Sequence, residues 1–296
     1  MWQQLKNNLE KGDFKSLARC ISMVENEVPG YEEFLQSLPA RNTPVIGLTG
    51  PPGAGKSTLA DALIELYIKD KKKIGVICVD PSSPFNLGAL LGDRIRMSTW
   101  YNNPSVFIRS LASRGSLGGL HPKIIEVTDT MKAAGFDFIF LETVGVGQSE
   151  IEIAGLADTT IVVLVPEAGD EVQTMKAGLM EIADIFVVNK ADRPGAATFA
   201  KNLLLMLASA FSTTAHEIPV IKTVASRKEG IQELKEKIAA CSSVQNAERK
   251  TWLLAEKAYQ LIKNKRMMDV NKQYLKEAIA KEGNAFNLYH FVEHYR

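Results

Sequence analysis

The sequence has little of several things that would mark other kinds of protein. Its 296 residues hold three cysteines, Cys20, Cys78 and Cys241, widely spaced and without any CxxC pair. Neither a disulfide framework nor a zinc knuckle is indicated, and buried reduced thiols are expected. No run approaches the ~18 apolar residues of a membrane span. The start, MWQQLKNNLEKGDFK, is polar within three residues, unlike a secretory leader, so a cytoplasmic chain without membrane attachment is expected. Charge is nearly balanced, with 35 Lys+Arg against 34 Asp+Glu, which leaves no electrostatic footprint for nucleic acid. The densest basic run, Lys69 with Lys71, Lys72 and Lys73, follows a predicted helix and suits its negative end.

What is there is ordinary folded-protein composition, 46% apolar and 23% charged. The length favours one large domain with appendages over two equal ones. Residues 1–41 read as short amphipathic helices closed by Pro39 and Pro44. From Val45 to Thr223, short β-branched runs alternate with helical patterns, the pattern of an α/β fold with a mostly parallel sheet flanked by helices. The expected strands are Val45–Thr49, Ile74–Asp80, Val106–Ser110, Asp137–Glu142, Thr160–Val165, Ile185–Asn189 and Pro219–Thr223. Several are almost wholly apolar, as strands covered on both faces must be. After Gly230 only helical patterns follow. The expected division is a helical segment at 1–41, an α/β domain at 42–240 and a helical tail at 241–296.

Residues 50–58 read GPPGAGKST, a full GxxxxGK[ST] placed between a predicted strand and a predicted helix. Gly50, Gly53 and Gly55 let the backbone curl so that N–H groups, with those of Ala54 and Thr58, face phosphate oxygens, and the helix adds its positive end. Lys56 is placed to span the β- and γ-phosphates, and the Ser57 hydroxyl to bind Mg²⁺. The metal also needs an acid from the C-terminal end of a neighbouring strand. Glu142 ends FDFIFL and opens ETVG, in which Gly145 is placed to donate to the γ-phosphate. Asp80 ends IGVICV and opens DPSSP. Either acid is a candidate.

The strand Ile185–Asn189 runs into NKAD at 189–192. An Asp192 carboxylate accepts two hydrogen bonds, and guanine offers two adjacent donors where adenine offers an acceptor and none. The mismatch excludes adenine by ~10⁴–10⁵, so GTP is expected over ATP. Asn189 either addresses the other edge of the base or braces the loops, the Lys190 stem covers the ring face, and the backbone at Thr223, Val224, Ala225 and Ser226 completes the pocket. The water-orienting Gln that follows DxxG in many GTPases is replaced by Val146, and Gln148 stands two residues further on. Slow intrinsic hydrolysis follows, with Asp80 or a partner's group positioning the water.

Taken together, GPPGAGKST, VDPSSP (79–84), GDRIRM (92–97), SRGSLGGL (113–120), ETVGVGQSE (142–150), GDEVQTMKAG (169–178) and NKAD resemble the MeaB/ArgK family of P-loop GTPases. The resemblance implies a fold of the signal-recognition-particle/MinD-related class. It also implies a nucleotide-dependent chaperone of an adenosylcobalamin-dependent acyl-CoA mutase, usually methylmalonyl-CoA mutase. It casts Lys56 and Ser57 as phosphate and Mg²⁺ residues, Asp80 and Glu142 as metal-site acids, and Asn189, Lys190 and Asp192 as base readers. Lys176 falls in a segment coupling nucleotide state to the mutase. Arg94, Arg96, Arg109 and Arg114 lie in matching segments, placed to meet phosphate or partner. A homodimer through the C-terminal helices is expected. No DxHxxG cobalamin motif surrounds any of the four histidines, so the cobalamin is expected on the partner. The rival readings are a kinase of amino-acid transport binding proteins and a metal-insertion GTPase. His290, Glu293 and His294 form HxxEH, formally a zinc-protease motif. Two residues from the end of the sequence, with no room for a downstream ligand and duplicating no need of the phosphate site, it reads as a coincidence.

Overall fold

A computed structural model of the chain describes residues 1–80, 97–112, 120–143, 152–168, 177–210, 218–243, 247–282 and 286–295. All seven expected strands form: β1 (Val45–Thr49), β2 (Ile74–Asp80), β3 (Val106–Ala112), β4 (Phe138–Glu142), β5 (Thr159–Leu164), β6 (Ile185–Val188) and β7 (Val220–Lys222). They make one parallel sheet in the order β3-β2-β4-β1-β5-β6-β7. Every residue of β1, β5 and β6 is buried, which is why those strands are apolar throughout. From β1 the chain crosses over β4 to reach β2, and from β4 it crosses back over β1 to reach β5. The order therefore reverses at β1, and ligands of such sheets bind at the C-terminal end of the strand where it does.

The helices are α1 (Trp2–Glu10), α2 (Phe14–Glu25), α3 (Tyr31–Gln36), α4 (Lys56–Lys69), α5 (Ile124–Ala133), α6 (Ala177–Ile182), α7 (Ala196–Ala210), α8 (Ile231–Ser243), α9 (Ala247–Arg266), α10 (Lys272–Glu282) and α11 (Leu288–Glu293). α4 buries Leu59, Leu63, Ile64 and Tyr67 in a core with Ile46, Leu48, Phe140 and Ile161 from the central strands. On the far side, α7 packs Leu203 and Leu207 against Val162, Phe186 and Val188.

The strands are also tied at their N-terminal ends. Asp137, Asp158 and Asp184 each stand directly before a strand and accept the backbone N–H of Lys73, Val45 and Thr160 at 2.8, 2.8 and 2.7 Å. Each carboxylate thus caps the start of the neighbouring strand, using a backbone donor that the ladder leaves over.

The N-terminal helices are part of the same body. Asp13 caps α2 by accepting the Ser16 N–H at 2.9 Å. Arg109 of β3 reaches Ser22 at 3.2 Å and forms an ion pair with Glu25, so it serves to hold α2 on the sheet edge. Lys123, ahead of α5, bridges Glu27 at 2.7 Å and Glu126 at 3.3 Å. Burial pushes the Glu126 carboxyl above the usual carboxylate value, against the pull of Lys123. Of the basic run, Lys69 pairs with Glu65 and Lys72 with Asp137, as solvated helix-end cations do.

The chain divides into two compact units, Met1–Ala247 and Glu248–Arg296. The second is helical, and among its described residues only Leu253 and Phe291 are buried apolar side chains. Cys20 and Cys78 are buried and Cys241 is half-buried, and none of the three is in a disulfide; burial alone pushes the Cys20 thiol up to about 11. Among the described residues, no helix is long and apolar enough to cross a membrane.

Candidate nucleotide site

The loop between β1 and α4 lies at the C-terminal end of the switch strand. Gly50 has φ +133°, and a Cβ there would stand 2.1 Å from the Val163 carbonyl oxygen, so only glycine lets the loop leave the sheet beside β5. Gly55 has φ +89°, and its missing Cβ would meet Asn189 Nδ2 at 2.4 Å. Gly53, at φ +77°, has open space on that side. Pro51 and Pro52 contribute no N–H, and the Ala54 N–H donates to Pro51 O at 3.2 Å. The remaining donors of the cradle come from Gly53, Gly55 and the first turn of α4, including Thr58, whose N–H groups have no acceptor within the helix.

Lys56 is buried, and its ammonium donates to Gly50 O at 2.8 Å and Pro51 O at 3.1 Å. One helical position on, Ser57 donates its hydroxyl to Glu142 Oε1 at 2.6 Å, both residues being buried. A hydroxyl and a carboxylate oxygen in contact form an all-oxygen donor pair suited to a hard cation such as Mg²⁺. Asp80 closes β2, two strands from β1. Its side chain lies outside the described residues, as do Gly145, Val146, Gln148, Lys176, Arg94, Arg96 and Arg114.

The NKAD segment continues β6 on the other flank of the loop. Asn189 is buried and braces three segments. Its Nδ2 donates to Ala54 O at 2.9 Å, while Oδ1 accepts from Thr223 Oγ1 and from the Ala225 N–H, both at 3.1 Å. Of the two roles its position allows, bracing is the one it performs here. Lys190 adopts φ +56° and donates to Gly53 O at 2.7 Å, which lays its stem across the mouth of the loop. Asp192 is exposed, with Arg227 Nη2 3.6 Å from its Oδ2. Arg227 also holds Glu229 at 3.0 Å, and Lys228 reaches Glu65 on α4 at 2.5 Å, tying the turn after β7 to the phosphate-loop helix. Lys228 and Lys69 together hold the Glu65 carboxyl below its usual value. Sequence reasoning did not point to Arg227. A lone basic residue in a turn carries no signal until the fold sets it beside Asp192.

His290, Glu293 and His294 sit on or just after α11, and among the described residues no group of three His, Cys, Asp or Glu side chains is arranged to hold a metal.

A parallel sheet that reverses order at a glycine-rich phosphate loop, with Asn-Lys-x-Asp at the end of a strand on the flank, defines a P-loop GTPase. The chain belongs to the family described as Methylmalonyl Co-A mutase-associated GTPase MeaB, whose model matches residues 17–282. It is 51% identical over 243 residues to a relative in Pyrococcus abyssi, covering 80% of this chain and 75% of that one. It is 42% identical over 190 residues to the GTPase ArgK of Escherichia coli, covering 62% and 57%. A fused isobutyryl-CoA mutase of Geobacillus kaustophilus matches at 35% identity over 234 residues, 74% of this chain but 22% of that protein. The crystal structure of a LAO/AO transport system kinase superposes over 99% of this chain and 96% of its own, with a TM-score of 0.69 at 26% identity.

Proposed function

We propose that this GTPase is a chaperone of an adenosylcobalamin-dependent acyl-CoA mutase, methylmalonyl-CoA mutase being the first candidate. In this role it gates cofactor loading and protects or reactivates the enzyme. The observation that carries the reading is the fused isobutyryl-CoA mutase: there a segment 35% identical to 74% of this chain is covalently part of a mutase. Two activities joined in one chain are held at high effective concentration, an arrangement that favours partners meant to act on each other. The cobalamin belongs to the client, in keeping with the lack of a DxHxxG motif in this sequence.

In this reading the cradle of Gly50, Gly53, Ala54, Gly55 and Thr58 binds the phosphates, with Lys56 neutralising their charge. Ser57 and Glu142, with Asp80, hold Mg²⁺, which neutralises charge developing on the phosphate oxygens. Gly145 contacts the γ-phosphate. Asn189, Lys190, Asp192 and Ala225 form the base pocket, and Lys176 relays nucleotide state to the client. Val146 in place of a glutamine leaves hydrolysis slow until the client binds. The C-terminal unit exposes Trp252, Leu254, Tyr259, Ile262, Tyr274 and Tyr289, apolar surface that supports the homodimer proposed for this tail. An ATP-using kinase of transport binding proteins is disfavoured by Asp192, whose carboxylate would face an acceptor on adenine.

The test is a pull-down of purified cobalamin-dependent mutases by the protein loaded with GDP or a non-hydrolysable GTP analogue, with the GTPase rate measured alongside. Nucleotide-dependent capture with faster hydrolysis is expected. GTP turnover with no mutase captured in either state would end the chaperone reading while leaving the GTPase.

A further inference from the structure

Two hydroxyls that take no part in the phosphate or base contacts are brought together by the sheet register. Leu48 lies opposite Glu142 across β1 and β4, so Thr49 and Thr143 follow side by side at the ends of the two strands. Both are buried, and their Oγ1 atoms are 3.1 Å apart. The Thr143 N–H donates to Leu48 O at 3.1 Å, and its hydroxyl lies 3.5 Å from the same oxygen. Thr49 is the residue before Gly50, where the phosphate loop begins. Thr143 is the residue after Glu142, which receives the Ser57 hydroxyl.

A strand end in a dry core does not call for hydroxyls. Valine has the same shape, favours strands as strongly and leaves no polar group to satisfy. The surrounding β1, β4 and β5 positions are mostly filled by Val, Ile, Leu and Phe. What a hydroxyl pair adds is direction: beside the Thr143 N–H bond to Leu48 O it is a second hydrogen bond holding the two strand ends at one mutual height, which dispersion contacts do not supply.

We propose that Thr49 and Thr143 are positioning residues for GTP hydrolysis. Their hydroxyl pair sets the height of Glu142 against the phosphate loop, and so the geometry in which Ser57 and Glu142 receive the metal. The inference rests on the reading that these two residues hold Mg²⁺.

The test uses the full chain and the variants Thr143→Val, Thr49→Val, the double variant and Thr143→Ser. Mn²⁺ affinity of the GDP complex is measured by electron paramagnetic resonance, alongside kcat and KM for GTP. Thr143→Val is expected to weaken Mn²⁺ binding and lower kcat, each about tenfold, while KM stays within about twofold, because the groups binding GTP are untouched. Thr143→Ser restores both. Thr49→Val matches Thr143→Val, and the double variant loses no more than either, since all remove one bond. Mn²⁺ affinity and kcat within about twofold of wild type in Thr143→Val, or losses that Thr143→Ser does not restore, overturn the proposal. Ser57→Ala separates the two layers. Unchanged Mn²⁺ affinity there defeats the metal assignment and the proposal with it. Loss in Ser57→Ala with none in Thr143→Val defeats the positioning role alone.

Discussion

The Lys56 ammonium donates to the carbonyl oxygen of Gly50, the residue that opens its own loop, at 2.8 Å. A buried cation is thereby satisfied by backbone dipoles before any phosphate arrives, and nucleotide exchanges one set of oxygens for another. The swap is favourable because phosphate oxygens carry full charge and carbonyl oxygens do not. Lys56→Met keeps an unbranched side chain one atom shorter and removes the charge. It should lower GTP affinity by about 10–100-fold, the worth of one charge-assisted hydrogen bond. Calorimetric titration checks this, and unchanged affinity would remove Lys56 from the phosphate site.

Asp192 offers a direct test of base reading. Asn at this position presents one acceptor and one donor, which match the N1–H and C2 carbonyl of xanthine and oppose the amine of guanine. Asp192→Asn should therefore reverse the preference between GTP and XTP, with GTP disfavoured by up to ~10⁴. Competition between the two nucleotides for the variant measures the ratio. A variant that still prefers GTP would place the carboxylate outside the base pocket.

Asn189→Ala removes three hydrogen bonds at once and leaves buried partners on Ala54, Thr223 and Ala225. Unfolding free energy should fall by about 2–4 kcal/mol, and GDP and GTP should both bind more weakly because the phosphate loop and the base wall lose their common brace. Urea denaturation together with nucleotide titration reads both effects. Normal stability with weakened binding would mean that Asn189 acts on the base instead.

Glu126 gives the protein a pH signature. Burial raises its carboxyl above the usual value near 4.5, and its Oε2 has no hydrogen-bond partner among the described residues. A group whose native value is raised contributes stability at low pH that is lost as pH climbs from about 4.5 through the native value. Glu126→Gln lacks that loss, so its melting temperature relative to wild type should rise as pH climbs above about 4.5 and level off once the native value is passed. A pH-independent difference would show that Lys123, 3.3 Å away, fully offsets the burial.

The parts of this molecule legible in sequence are those governed by short-range rules. All seven strands were readable because apolar runs bounded by charged or Gly/Pro-rich segments have few alternatives, and three are directly preceded by an Asp that caps the neighbouring strand. Their edges shifted by a residue or two: β3 continues past Ser110 to Ala112 and β5 starts at Thr159. The phosphate loop was readable because its glycines, lysine and serine are contiguous. The connections across the sheet were not. Arg109 stood among the candidates for phosphate or partner, and it is spent on Glu25 and Ser22, 84 and 87 residues away. Arg227 beside Asp192, Lys228 on Glu65 and the pairing of Thr49 with Thr143 depend on strand order, which no local pattern encodes.

The reach of Asn189 also sets when the site comes into being. Its amide joins Ala54, 135 residues earlier, to Ala225, 36 residues later. A nascent chain that has delivered its phosphate loop, and even its NKAD segment, still has no base pocket until residue 225 has emerged and β7 has docked at the sheet's far edge. On the proposed base-pocket assignment, nucleotide therefore gains its base contacts only late in folding. Bound with all its contacts, it adds about 2.7 kcal/mol at a hundredfold excess over Kd, and so favours chains in which β7 has joined the sheet.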